Sequence, residues 1–251
     1  MLGLGNSLVT SGVVEGFLPT QVSGLQLWLA NGEGQLGDPV SKWGDASGNL
    51  NHAQQTSSGN RGAKEAGGIQ FDSSASTHYD LPTAITIASE HEVHVFAVYK
   101  LEDATQNTIL GRTGLTEDFL EIQSHKQLRF TFDDNTAEKI IYANNSLANA
   151  TTPFTALFQF VRRAGADSGS GTTAKIEVYK NGTELSVVSY PSGSDGYDDG
   201  AITFDTIGAR NNDRFMEGPL LELLIYNTGT GNMSQNDSES INNYLLNKFS
   251  L

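Results

Sequence analysis

The chain has 251 residues and a net charge of −14, with 18% charged and 37% hydrophobic side chains, 27 glycines and no cysteine. The length accommodates one large all-β domain or two small ones, and so acidic a surface would repel a phosphate backbone, which excludes nucleic acid as a direct partner. The lack of cysteine excludes disulfide frameworks, thiolate catalysis and Cys-ligated zinc, and no stretch approaches the ~20 apolar residues that would insert into a membrane.

Residues 1–22 stand apart. Met1-Leu2-Gly3-Leu4-Gly5 and Val13-Val14-Glu15-Gly16-Phe17-Leu18 are apolar without strand or helix periodicity, and Pro19 closes the segment. A disordered tail is usually more polar, so the segment reads as an arm that packs on a partner chain. Met1 to Gly12 carries no Lys or Arg and no sustained apolar run, so no signal peptide is expected.

From Gly24 onwards the pattern is β. Gly24 to Ala30 is a short apolar strand, and Val40 to Gly44 leads into the Asp45-Ala46-Ser47-Gly48-Asn49 turn; Gly68 to Asp72 follows. Val93 to Tyr99 is apolar on both faces, as a central strand is. Leu128, Phe130 and Phe132 alternate with polar residues; Ala156 to Val161 is apolar; Ala174, Ile176 and Val178 alternate up to Asn181-Gly182. That dipeptide signals a type I′ hairpin, because both residues tolerate positive φ, and Glu184 to Tyr190 reads as the returning strand. Ala201 to Ala209 and Leu220 to Tyr226 complete the series. Near the end, Ser234 and Asp237 form an S-x-x-D capping box, and Ile241, Tyr244, Leu245 and Phe249 recur at helical spacing. The fold expected is a two-sheet antiparallel β-sandwich with one short C-terminal helix.

The order of the opening strands and turn, together with Gly218 to Asn227 followed by a helix closing on Tyr244-Leu245, resembles the concanavalin A-like, laminin-G-like jelly rolls over most of residues 23–251. The resemblance implies a sandwich that displays loops, often with a calcium ion near them, in carbohydrate-binding or adhesive roles. Met1-Leu2-Gly3-Leu4-Gly5-Asn6-Ser7 also resembles the openings of virion structural proteins of tailed phages. That second resemblance implies assembly into a virion in the host cytoplasm, with residues 1–22 as the anchor to other virion proteins and 23–251 as the displayed domain.

Four patterns were weighed for chemistry. Gly32 to Gly37 fits G-x-G-x-x-G, but a strand follows where a dinucleotide site needs a helix, so it reads as a loop. His91-Glu92-Val93-His94 has i, i+3 spacing on a strand, which does not put two imidazoles on one face; these read as surface or strand-end histidines. The E-x-D-x-x-E pattern of same-fold glycosidases, whose paired carboxylates sit ~5 Å apart, is absent; Glu222 stands alone in its strand and Glu121 lacks partners. Asp45, Ser47 and Asn49, with Asp72, are candidate oxygen ligands for calcium, the alternative being an Asx-type turn.

Trp28 and Trp43 read as core. Tyr190 and Tyr197, flanking a Gly/Ser/Asp-rich loop with Asp195 and Asp198, are the candidate glycan contacts. The reading that follows is a non-enzymatic virion structural protein, expected as a homo-oligomer, whose outer loops contact host-surface glycans. A free calcium-dependent lectin and a glycan-active enzyme with an unfamiliar site are the alternatives.

Overall fold

A computed structural model describes residues 16–102, 106–115, 118–123, 127–131, 142–143, 153–163, 176–185, 187–189 and 201–251. The expected sandwich is what forms. Among the described residues, two eight-stranded antiparallel sheets face one another. The first runs Thr183–Glu184, Ile176–Lys180, Phe154–Arg162, Glu92–Leu101, Gly218–Gly229, Gly68–Phe71 and Lys64–Glu65, with Leu25–Leu29 also paired to Gly218–Gly229. The second runs Gln127–Thr131, Phe119–Gln123, Gln106–Gly111, Ile202–Ile207, Tyr79–Ile87, Ala53–Gln54, Lys42–Trp43 and Gln35–Leu36.

The main core lies between the sheets. Val93, Val95, Ala97 and Tyr99 face inward from Glu92–Leu101, against Phe158 and Phe160 of the neighbouring strand and Trp43, Tyr79, Ile85 and Phe204 of the second sheet. Because side chains alternate along a strand, Phe96 and Val98 must face the other way. They are nonetheless fully buried, in a second apolar cluster with Trp28, Leu157, Leu224, Tyr226, Ile241 and Leu245. The cause is the helix Gln235–Phe249, which lies on the outer face of the first sheet. Its start is the expected one: Ser234 Oγ accepts from the Asp237 amide at 3.1 Å and donates to Asp237 Oδ2 at 2.7 Å.

The C-terminal part of the predicted arm belongs to the same layer. Phe17 packs on Tyr244 (ring centroids 6.1 Å apart), Val22 is buried in the second cluster, and Tyr226 donates its hydroxyl to the Pro19 carbonyl at 3.0 Å. Residues 1–15 lie outside the described residues. Gly24 then turns the chain into its first strand at φ +87, with the Asn227 carbonyl 2.4 Å from where a Cβ would stand.

One expected hairpin is shorter than its sequence pattern. Asn181 and Gly182 take the left-handed conformation (φ 50 and 75), as their residue types allow. The return is only Thr183–Glu184; Val187–Ser189 pairs instead with Tyr142–Ala143 in a small separate sheet.

Leu245 is fully buried where the helix meets the sheet. Leu245→Ala should therefore cost about 2–5 kcal/mol, read as a lower denaturant midpoint with unchanged slope. A change below ~1 kcal/mol would mean that the helix is not seated as described.

Candidate functional site

Beneath the helix runs a chain of buried polar side chains. Glu92 and His94 are both on the outer face of Glu92–Leu101 and are fully buried. His94 Nε2 lies 2.7 Å from Glu92 Oε1, and its Nδ1 is 3.2 Å from the Gln159 amide nitrogen. Gln159 also donates to Ser238 Oγ at 3.1 Å and accepts from the Asn242 amide at 2.9 Å. These partners fix the imidazole as neutral, donating through Nε2 to the carboxylate and accepting at Nδ1. Burial pushes the His94 pKa down, overcoming the pull of Glu92. Burial works against ionisation of Glu92 too, but hydrogen bonds from His94 and the Met233 amide hold its pKa below the usual carboxylate value. The expectation that these histidines lie at the surface or a strand end is thus corrected for His94, because the helix covers the face it projects from.

The chain opens into a cleft of about 430 Å³ beside the first turns of the helix. Gln159 lines it from Phe154–Arg162, and Arg163 follows at the end of that strand. Glu177 and Tyr179, two residues apart on Ile176–Lys180, share its outer face. Gln235, Ser238, Glu239 and Asn242, at helical i, i+3, i+4, i+7 spacing, form the opposite wall.

Arg163 grips Glu177 with two hydrogen bonds, Nε to Oε1 at 2.9 Å and Nη2 to Oε2 at 2.6 Å, and its Nη1 is 3.8 Å from Glu92 Oε2. Tyr179 donates to Glu177 Oε2 at 2.6 Å. Burial opposes ionisation of Glu177, yet the donors from Arg163 and Tyr179 outweigh it and keep the carboxyl below its usual pKa. Burial, then the bond to Glu177, pushes Tyr179 up to about 12. Asn242 Oδ1 is buried and accepts no hydrogen bond from the described residues.

The sequence-predicted calcium ligands sit elsewhere. Asp45 Oδ1 accepts from the amides of Trp28 and Ser47, both at 2.9 Å. Its Oδ2 accepts from Ser47 Oγ at 2.7 Å and the Asn51 amide at 2.9 Å. Four donors fill the four lone-pair positions of the carboxylate, so the turn alternative describes this loop, and Asp45 as placed does not fit a cation. Asn49 uses its amide to hold the Leu25 and Gln26 carbonyls. Asp72 makes a separate turn with Ser74 and Ala75, and these hydrogen bonds, that from the Ser74 hydroxyl foremost, lower its pKa. Among the described residues no three acidic or histidine side chains cluster as metal ligands do. Tyr190, Asp195, Tyr197 and Asp198 lie outside the described residues.

The two carboxylates weighed in the sequence are both engaged. Glu222, fully buried, accepts from Trp28 Nε1 at 2.8 Å and Tyr244 Oη at 3.2 Å and pairs with Lys248 at 2.6 Å. Glu121 pairs with Arg210 at 3.0 Å, whose guanidinium lies 3.8 Å from the centroid of the Phe119 ring. Trp43 is core, as expected, with Nε1 donating to the Ala30 carbonyl at 3.1 Å.

No protein-family model matches the chain, and no curated protein matches it. Solved structures do. Trypanosoma rangeli sialidase superposes with a TM-score of 0.52 at 13% identity, covering 90% of this chain and 33% of the sialidase. The same enzyme in complex with sialic acid gives 0.53 at 13%, with the same coverage. The chain thus spans about a third of the length of these proteins, and at this identity the likeness establishes the β-sandwich fold.

The likeness also corrects the expectation of a non-enzymatic chain, since the structures matched are those of enzymes. The reason is mechanistic: the paired-carboxylate search behind that expectation covers most glycosidases but not sialidases, which use a tyrosine nucleophile. Nothing in these likenesses bears on the virion assignment.

The buried pair makes stability depend on pH. The folded pKa of His94 lies below its ordinary 6.5, so its contribution is complete above that value. As pH falls, the unfolded chain takes up a proton that the fold refuses, and stability is lost. Urea midpoints should decline from about pH 6.5 downwards, and His94→Gln should flatten this first decline while leaving the later loss through the carboxylate range. An equally steep decline in the variant would exclude His94 as its source.

Proposed function

We propose that the chain is a glycan-binding β-sandwich module and that its sugar site is the cleft between the first sheet and the C-terminal helix. The observation that carries this reading is the cleft's composition. One partly exposed tyrosine ring stands beside a guanidinium, three amides, a serine hydroxyl and the Glu239 carboxylate in a space of about 430 Å³. An aromatic face for the apolar side of a pyranose, ringed by groups that exchange hydrogen bonds with hydroxyls, is how a protein recognises a sugar without a metal. The fold's likeness to a sialidase solved in complex with sialic acid supports the ligand class.

The floor of the cleft suits the task. Gln159 is held from three sides by His94, Ser238 and Asn242, and a site whose walls are already ordered loses little entropy on binding.

The division of labour within Tyr179 gives the test. Its hydroxyl is committed to Glu177, so the ring is what a sugar would meet. On immobilised glycans, Tyr179→Ala should weaken retention at least about tenfold, ~1.4 kcal/mol, while Tyr179→Phe keeps most of it. Equal retention by wild type and Tyr179→Ala would place the sugar site elsewhere.

A further inference from the structure

We infer that the cleft selects sugars that donate hydrogen bonds and carry no carboxylate, in contrast to the sialic acid held by the sialidase of similar fold. The inference rests on the glycan reading of this cleft and concerns which sugars it accepts.

The first ground is charge. Among the described residues within and directly beneath the cleft, one cation, Arg163, faces three carboxylates: Glu239 on the wall, Glu177 paired to the guanidinium and, below the surface, Glu92. Lys180 does not alter the balance, because it lies on the opposite strand face with its ammonium 4.4 Å from the centroid of the Phe154 ring. His94 is neutral on the hydrogen-bond pattern given above. A carboxylate-bearing sugar would enter a region of negative potential.

The second ground is the direction of the hydrogen bonds. Arg163 is the cleft's one strong anion receptor, and two of its nitrogens are already closed on Glu177 in a fork. A sugar carboxylate would have to displace that intramolecular partner, present at a far higher effective concentration, or use the Nη1 side, which lies 3.8 Å from Glu92 Oε2. Of the other donors, those of Tyr179, Gln159 and Asn242 are engaged, which leaves the Ser238 hydroxyl and one N–H of the Gln235 amide. The Tyr179 hydroxyl goes to Glu177, the Gln159 amide to His94 and Ser238, and the Asn242 amide to Gln159 and the Ser238 carbonyl.

The rim also carries an acceptor. The Glu239 carboxylate stands at the exposed rim, where its Oε1 accepts from Gln235 at 2.7 Å. A hydroxyl group can donate to that carboxylate, whereas an ionised carboxyl group is acceptor-only and is repelled by it.

The test uses the full-length chain on an array of oligosaccharides in matched pairs, each present with and without a terminal sialic acid, in one buffer of fixed ionic strength. Wild type should bind the uncapped member of its best pair at least about tenfold more tightly than the capped one. Glu177→Gln, which frees the Arg163 fork, should narrow that gap several-fold. Glu239→Gln, at an exposed rim position, should narrow it too without disturbing the fold, and keeps the comparison informative should the first variant be unstable. Preference of wild type for the capped members would overturn the inference and leave the glycan reading standing. An unchanged gap in both variants would also overturn it, since the cleft's charges would then not set the preference. Binding to no pair at all would overturn the glycan reading itself, and the inference with it.

Discussion

The C-terminal helix seals one face of a sheet that is already committed to a core on its other side, and the remaining features of that face follow from this constraint. Water is excluded from both sides of the Glu92–Leu101 strand from Glu92 to Tyr99, so each polar group there has to find a protein partner. Apolar positions solve the problem by packing: Phe96, Val98, Leu224 and Tyr226 meet Ile241 and Leu245. Polar positions solve it by pairing. On one side of the helix Glu92, His94 and Gln159 pass hydrogen bonds to Ser238 and Asn242; on the other, Glu222 gathers Trp28, Tyr244 and Lys248. Removing one partner from such a set strands a buried donor, acceptor or charge, which is why these groups hold one geometry.

The architecture was legible because it rests on local periodicity. Alternation marked most of the strands, Asn181-Gly182 marked a tight turn, and Ser234 with Asp237 marked the helix start; the turn and the helix start are where their patterns put them, while the return expected over Glu184 to Tyr190 is cut short. The two tryptophans and the Asp45 turn could be read from residue type and neighbours. The cleft was not legible, because it joins residues 159, 163, 179, 235, 239 and 242 across three elements whose relative placement no local pattern encodes. A signal was nonetheless present: Gln159 interrupts the apolar run Phe154 to Val161, and a polar residue in such a strand needs a partner on the layer that covers it. His94 was read as peripheral for the same reason, since its burial comes from a helix about 140 residues further along the chain. The glycan contacts chosen from sequence, around Tyr190 and Tyr197, were selected for exposure and loop composition, whereas the cleft uses a tyrosine in the middle of a strand pattern.

The polar chain and the cleft work as one construction. Rigid amides at the base present hydrogen-bonding atoms at fixed positions; a carboxylate–guanidinium fork stiffens the strand wall; a capped helix supplies the other wall. On the glycan reading proposed above, the described walls alone would hold the sugar, in contrast to the calcium-dependent loop sites implied by the family resemblance. The fold, shared with part of much larger enzymes, leaves chemistry to whichever side chains the walls carry.

The placement of Glu177 and Tyr179 has an evolutionary consequence. Both project outward from Ile176–Lys180, a strand close to the sheet edge whose outer neighbour is only the two-residue Thr183–Glu184. Among the residues of that strand with described side chains, only Val178 is buried in the main core. Exchanging outward positions on such a strand breaks the local Arg163–Glu177–Tyr179 contacts but leaves the inter-sheet packing in place. On the glycan reading proposed above, ligand preference is therefore the property most easily changed, and descendants of one ancestor that share its sandwich to the last core residue would be expected to diverge first in the sugars they hold.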